Sequence, residues 1–282
     1  MRTVLLVILT ACGRLGFEPV PADVGPDAVP FSICAEPRVI SVNHGTGHPP
    51  AIAANGSGVV VAWHDSRDDD DGTFTANVAL VAADGTVQRL ELMSEMQPSL
   101  LPPFPMSVAC SDTNCGIVWQ VRGTTGATTY FAVIAADGTI VADPAFIDSS
   151  FSAHPAIVWT GTELVVAYAV NESTPPASSS PSFINLRRYD ASGQPLGAPT
   201  RLSDDTAQAQ LPALAWTGSG FLATWTDGRG GSSTAFAVAA DASGTKLGPD
   251  RALGTILGAP GIAWNTGEAV VAFGGRATNP GL

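Results

Sequence analysis

An aromatic ring closes the second of two short apolar strands five times along this 282-residue chain, at Trp63, Trp119, Tyr168, Trp225 and Phe273. A period of about 50 residues marks a fold that stacks or radially arranges one supersecondary unit, because one such unit cannot bury its apolar face alone. Proline lies thirteen residues before four of these rings, at Pro50, Pro155, Pro212 and Pro260, with Pro105 one position off in the other repeat. Proline is tolerated at the first residue of a strand, so it marks where each first strand begins. The β-branched residues and Gly turns that follow argue against helices. A second column, nine residues before the first, reads Ala54, Cys110, Trp159, Trp216 and Trp264, so all six tryptophans fall in the two columns.

Between the columns stand four-residue polar turns such as Asn55-Gly56-Ser57-Gly58 and Thr217-Gly218-Ser219-Gly220, each expected to close a β-hairpin. In the first four repeats a third strand ends on an Asp and Gly turn, as from Val78 to Asp84-Gly85, and a more polar fourth segment follows, as from Thr86 to Leu92. Two strands apolar on both faces and a polar fourth describe a radial gradient from a crowded axis to a wet rim. An all-β propeller of four-stranded antiparallel blades has that gradient, whereas a sandwich would alternate one-sided strands throughout. The segments Trp63-His64-Asp65-Ser66-Arg67 and Trp225-Thr226-Asp227-Gly228-Arg229 resemble bacterial propeller repeats whose second strand ends in aromatic-x-Asp-x-Arg. The resemblance covers residues 38 to 276 and implies a fold but no activity. The second repeat runs Gln120-Val121-Arg122 and the third Ala169-Val170-Asn171-Glu172, so a full ring of Asp and Arg cannot exist. The fifth repeat stops after its second strand. Five blades are expected, closed by N-terminal strands at Phe31 to Cys34 and Val39 to Val42 that supply the missing outer strands and remove an exposed edge. A truncated ring or an open arc is the alternative.

The first residues set an address. Met1-Arg2 precedes the apolar run Val4 to Leu9, and Leu9-Thr10-Ala11-Cys12 resembles the lipobox of bacterial lipoproteins. The run is too short to span a bilayer. The resemblance implies a signal peptide over 1–11 and an acylated Cys12, with Gly13 rather than Asp favouring the outer membrane or cell surface of the envelope. Residues 12–30 hold Pro19, Pro21, Pro26 and Pro30 and read as an extended tether; 31–282 read as one domain. A net charge of −12 argues against nucleic acid and anionic lipid as partners. Lys246 is the one lysine against twelve arginines, which reads as codon or lineage bias.

Candidate sites are few. Cys110 and Cys115 flank the second turn at positions that hold facing apolar pairs elsewhere, so a disulfide is expected in an oxidising compartment. Its short loop implies about 2 kcal/mol. Cys34 is left as a buried thiol. His44, His48 and His154 precede first strands, where a propeller gathers loops at the mouth of its channel. With Asp65, Arg67, Asp227 and Arg229, the residues His48 and His154 form the candidate ligand rim. Each Asp and Arg pair is expected to be an exposed stitch worth about 0.2 to 1 kcal/mol. Asp68 to Asp71 and Gly72 depart from a calcium loop because Arg67 stands where an acid is needed. No metal or cofactor site and no nucleophile elbow is found. The expectation is a monomeric, membrane-anchored binding or scaffolding protein with a protein or glycan ligand, and not an enzyme. The alternatives are a five-bladed carbohydrate-active hydrolase with its acids on loops, or a structural envelope component.

Overall fold

The computed structural model describes residues 4–8, 38–43, 49–65, 73–96, 105–123, 126–148, 151–171, 181–204, 208–265 and 267–274. Every element in them is a strand. The first blade pairs β3 (Ala51–Asn55), β4 (Gly58–Asp65), β5 (Thr73–Ala82) and β6 (Val87–Met96) in that order. The second comprises β7 (Ser107–Cys110), β8 (Asn114–Gly123), β9 (Gly126–Ala135) and β10 (Ile140–Phe146). The third runs β11 (Phe151–Trp159), β12 (Glu163–Asn171), β13 (Ser182–Asp190) and β14 (Thr200–Arg201), and the fourth β15 (Ala209–Trp216), β16 (Gly220–Asp227), β17 (Thr234–Asp241) and β18 (Arg251–Thr255). All pairings are antiparallel.

The turns form for local chemical reasons. Ser111, Thr160 and Thr217 each use the hydroxyl to accept the backbone N–H three residues on, at 2.9, 2.9 and 3.1 Å. At the outer turns the carboxylates of Asp190 and Asp241 accept backbone N–H groups of residues two and four positions later, and Gly193 and Gly244 take the positive φ that closes each turn.

First strands lie against one another in succession, β3 on β7, β7 on β11, β11 on β15 and β15 on β19 (Gly261–Asn265). This is the propeller arrangement. In the four full blades the second strands are buried on both faces, β12 almost throughout, while the outer β10 is largely exposed. Alternate residues of a strand serve opposite neighbours. Ile117 and Trp119 of β8 pack with Val60 and Val78 of the first blade, whereas Val118 packs with Val166 and Tyr168 of the third. Val165 and Ala167 of β12 then pack with Phe221 and Trp225 of the fourth. Trp119, Tyr168 and Trp225 of the aromatic column are therefore a row of wedges, each wholly buried and pressed against the preceding blade.

The expected ring closure is not made among the described residues. β20 (Glu268–Ala272) pairs with β19 alone, and the segment Val39 to Val42 lies within β2 (Arg38–Asn43), which pairs with β1 (Val4–Ile8). The reason is in the two sequences: VLLVI and VISV are both apolar β-formers, and the first is a ready partner for the second. Phe31 to Cys34 lie outside the described residues. In keeping with its missing strands, the fifth hairpin exposes 61% of Val270, and Ile52 on the first blade is 57% exposed.

The Cys110–Cys115 disulfide is present, joining directly opposed residues of β7 and β8 whose Cα atoms are 4.0 Å apart. Peptide mapping of unreduced protein should recover the two cysteines in one linked species, and free alkylatable thiols at both positions would contradict the bond. Trp225→Ala empties a wedge position and should lower stability by about 3 to 5 kcal/mol, read as a reduced urea midpoint; a loss under about 1 kcal/mol would show that the aromatic column does not hold the blades together.

Candidate functional site

The residues that enter the first strands meet at one mouth of the channel. Pro105, His154, Leu211 and Ala259 occupy the same repeat position, fourteen residues before the aromatic column. With Met106, Ser107, Pro155 and Pro212 they line a cavity of about 190 Å³. His154 and Leu211 adopt positive φ, 53° and 54°, and both precede proline. Side chains rarely take that conformation, and a following proline biases a residue toward extended backbone, so each stores about 1 to 3 kcal/mol of strain. A bulge accompanies each: between Ala153 and Ala156 two residues of β11 oppose one of β12, and between Gln210 and Ala213 two of β15 oppose one of β16.

Neighbouring blades hold these bulges in place. The His154 N–H donates to Oε1 of buried Gln120 at 3.0 Å, and the Ile157 N–H donates to the Ser107 hydroxyl at 3.3 Å. The Ser182 hydroxyl donates to the Ala209 carbonyl at 3.0 Å at the start of β15. Among the described residues the mouth is thus a largely apolar ring carrying one imidazole, that of His154. His154 stands where the sequence places it; His48 and Arg67 lie outside the described residues, and of Asp65 only the backbone, pairing with Thr75 at the end of β4, is described.

Asp227 and Arg229 come together, but not as an exposed stitch. Asp227 is 0% exposed and accepts from the Trp225 indole N–H at 3.1 Å, the Gln208 N–H at 3.2 Å, the Arg229 N–H at 2.8 Å and the Arg229 guanidinium at 2.6 and 3.0 Å. Arg229 also reaches Asp250 at 2.7 Å and lies over the Phe236 ring, which stacks on Trp225. Lys246, read above as a bias, pairs with Asp250 at 2.7 Å and with Asp204. The motif therefore works inward: its acid satisfies the buried indole N–H of its own aromatic, and its cation caps the stack. Sequence reasoning missed Lys246, Asp204 and Asp250 because nothing in their spacing connects them to the motif.

Burial pushes the Asp227 carboxyl up, yet the hydrogen bonds from Arg229, Trp225 and Gln208 outweigh it and hold the group below its ordinary value. A carboxyl that titrates lower folded than unfolded contributes fully above its unfolded value of about 4, and the contribution is lost as pH falls through the folded value. Removing one partner of a buried pair costs about 3 to 5 kcal/mol, so Asp227→Ala should rival Trp225→Ala rather than fall below 1 kcal/mol. Urea midpoints should fall on acidification below about pH 4, less steeply in Asp227→Asn than in the parent. An Asp227→Ala midpoint equal to the parent's would refute the buried network.

No protein-family model matches the chain, and no curated protein sequence matches it. Solved structures do. A Trypanosoma rangeli sialidase in complex with the inhibitor DANA superposes with a TM-score of 0.52 at 10% identity, covering 84% of this chain and 44% of that one. The same sialidase with a difluoro-KDN ligand gives 0.54 at 11% identity, covering 83% and 43%. A xylan β-1,4-xylosidase from Bacillus halodurans gives 0.46 at 13% identity, over 80% and 48%. The chain spans less than half the length of these proteins, and at such identities the likeness to the sialidases is one of fold: this is an all-β chain of propeller type.

Proposed function

We propose that the chain is an exported lipoprotein, tethered to the envelope through Cys12, whose propeller binds a ligand rather than transforming one. The observation that carries this reading is the lining of the strand-entry mouth. Met106, Leu211, Ala259 and the prolines present apolar surface with a single imidazole, fixed by strained backbone before any ligand arrives. A preformed apolar ring suits docking, which loses less entropy when the site is already ordered. Glycoside hydrolysis asks instead for two carboxylates about 5 to 10 Å apart. Asp227, the motif acid at this end of the fourth blade, is committed to Arg229 and the Trp225 indole.

The same reading extends to ring closure. Cleavage ahead of Cys12 removes β1, and β2 is then free to add to the open edge of β20 as one of the two outer strands a fifth blade needs.

Two measurements on whole cells and purified protein test the proposal. Cys12→Ala should move the protein from the membrane to the soluble fraction, since the acyl chains are the attachment; a variant that still pellets after a high-salt wash overturns the tether. Purified protein incubated with neutral and acidic oligosaccharides should release no reducing ends, and their release would overturn the binding reading in favour of a hydrolase.

A further inference from the structure

The opposite mouth of the channel holds a larger cavity, of about 520 Å³, within the size range of ligand sites. Its origin lies in the second repeat column. On β11, β15 and β19 that column carries Trp159, Trp216 and Trp264. Trp216 packs on Phe221 with ring centroids 4.8 Å apart. On β3 and β7 the column carries Ala54 and Cys110 instead, and Cys110 is tied back to Cys115. The space that two further indoles would occupy is left open, with Trp159 on its wall and Asn55, Ser111, Asp112 and Thr113 around it.

The wall is held in place across blades. Asn114 donates from its side chain to the Ala191 carbonyl at 2.8 Å, joining the second-blade turn to the outer turn of the third. A Cβ on Gly56 would stand 3.1 Å from the Asp112 carbonyl oxygen, so the first two turns are in close contact. The Cys110–Cys115 bond braces the hairpin that presents Ser111 to Thr113.

The lining selects the ligand chemistry. Among the described residues no cation lines the cavity and Asp112 does, on a chain of net charge −12, so an anionic ligand would meet repulsion. A wholly apolar ligand would strip water from Asn55, Ser111, Asp112 and Thr113 without replacing its hydrogen bonds. A neutral, hydroxyl-rich ring satisfies both conditions, since its C–H face packs on an indole and its hydroxyls pair with amide, hydroxyl and carboxylate groups. We infer that this cavity is a binding site for a neutral pyranoside, with Trp159 as its stacking platform. The inference rests on the binding reading above and adds a second site at the far end of the channel.

The experiment titrates the full-length protein with neutral glucose-, xylose- and galactose-based tetrasaccharides and follows tryptophan fluorescence and heat. Saturable binding is expected for at least one of them. Trp159→Ala should weaken it by about tenfold or more, the loss of one stacking contact of this class. Ala54→Trp restores the residue its sibling strands carry at an exposed position, so the fold should be kept while the cavity is filled and binding lost. Failure of all three tetrasaccharides to bind, or tighter binding of a uronic-acid tetrasaccharide than of any neutral one, overturns the ligand class. Binding that survives both substitutions with unchanged affinity overturns the site and leaves the binding reading standing, whereas release of reducing ends overturns that reading and leaves the site standing.

Discussion

Burial of one aromatic ring per repeat against the preceding blade is the interaction on which the rest of the structure depends. A hairpin with apolar residues on both faces cannot be stable in water by itself. Trp119, Tyr168 and Trp225 solve this by giving each blade a broad ring to press on its neighbour, while the intervening residues, such as Val118 and Val166, pack the other way. The strand period of two does the sorting: odd and even positions of a single second strand belong to different interblade cores.

A buried indole brings a polar atom with it, and the blades deal with that atom differently. In the fourth, Asp227 accepts the Trp225 N–H and is itself paired with Arg229, which Asp250 links to Lys246 in one continuous ion network. In the third, the ring is a tyrosine whose hydroxyl donates to Asp148 at 2.9 Å, and burial followed by that carboxylate pushes its pKa up. In the second, Val121 stands where the acid would be and the Trp119 N–H finds no acceptor. That blade carries the disulfide at the other end of the same hairpin.

Much of this was legible because repeats print their register in the sequence. The column positions place Cys110 opposite Cys115, set the hairpin turns and put His154 just ahead of a first strand. What was not legible depends on partners far away in the chain. The spacing of Asp227 and Arg229 suggests an exposed pair; only the fold brings Asp250 and Lys246 beside them and the Trp225 ring beneath them. The positive φ of Leu211 runs against the usual effect of a following proline, so local rules point the wrong way where tertiary packing overrides them. The 520 Å³ cavity is an absence, two indoles not present at positions 54 and 110, and becomes visible only when neighbouring strands are laid side by side.

Because each blade touches only the blades beside it, its stability is a sum of its own term and one coupling per neighbour. Interior blades are clamped from two sides, while the hairpin of β19 and β20, half-exposed and paired with no further strand among the described residues, is clamped from one. Local opening then begins at that end and must pass inward coupling by coupling, so amide exchange along the chain becomes a readout of distance from the frayed blade. The wedge rings act as successive checkpoints on that path, met in the order Trp225, Tyr168 and Trp119 as opening moves inward.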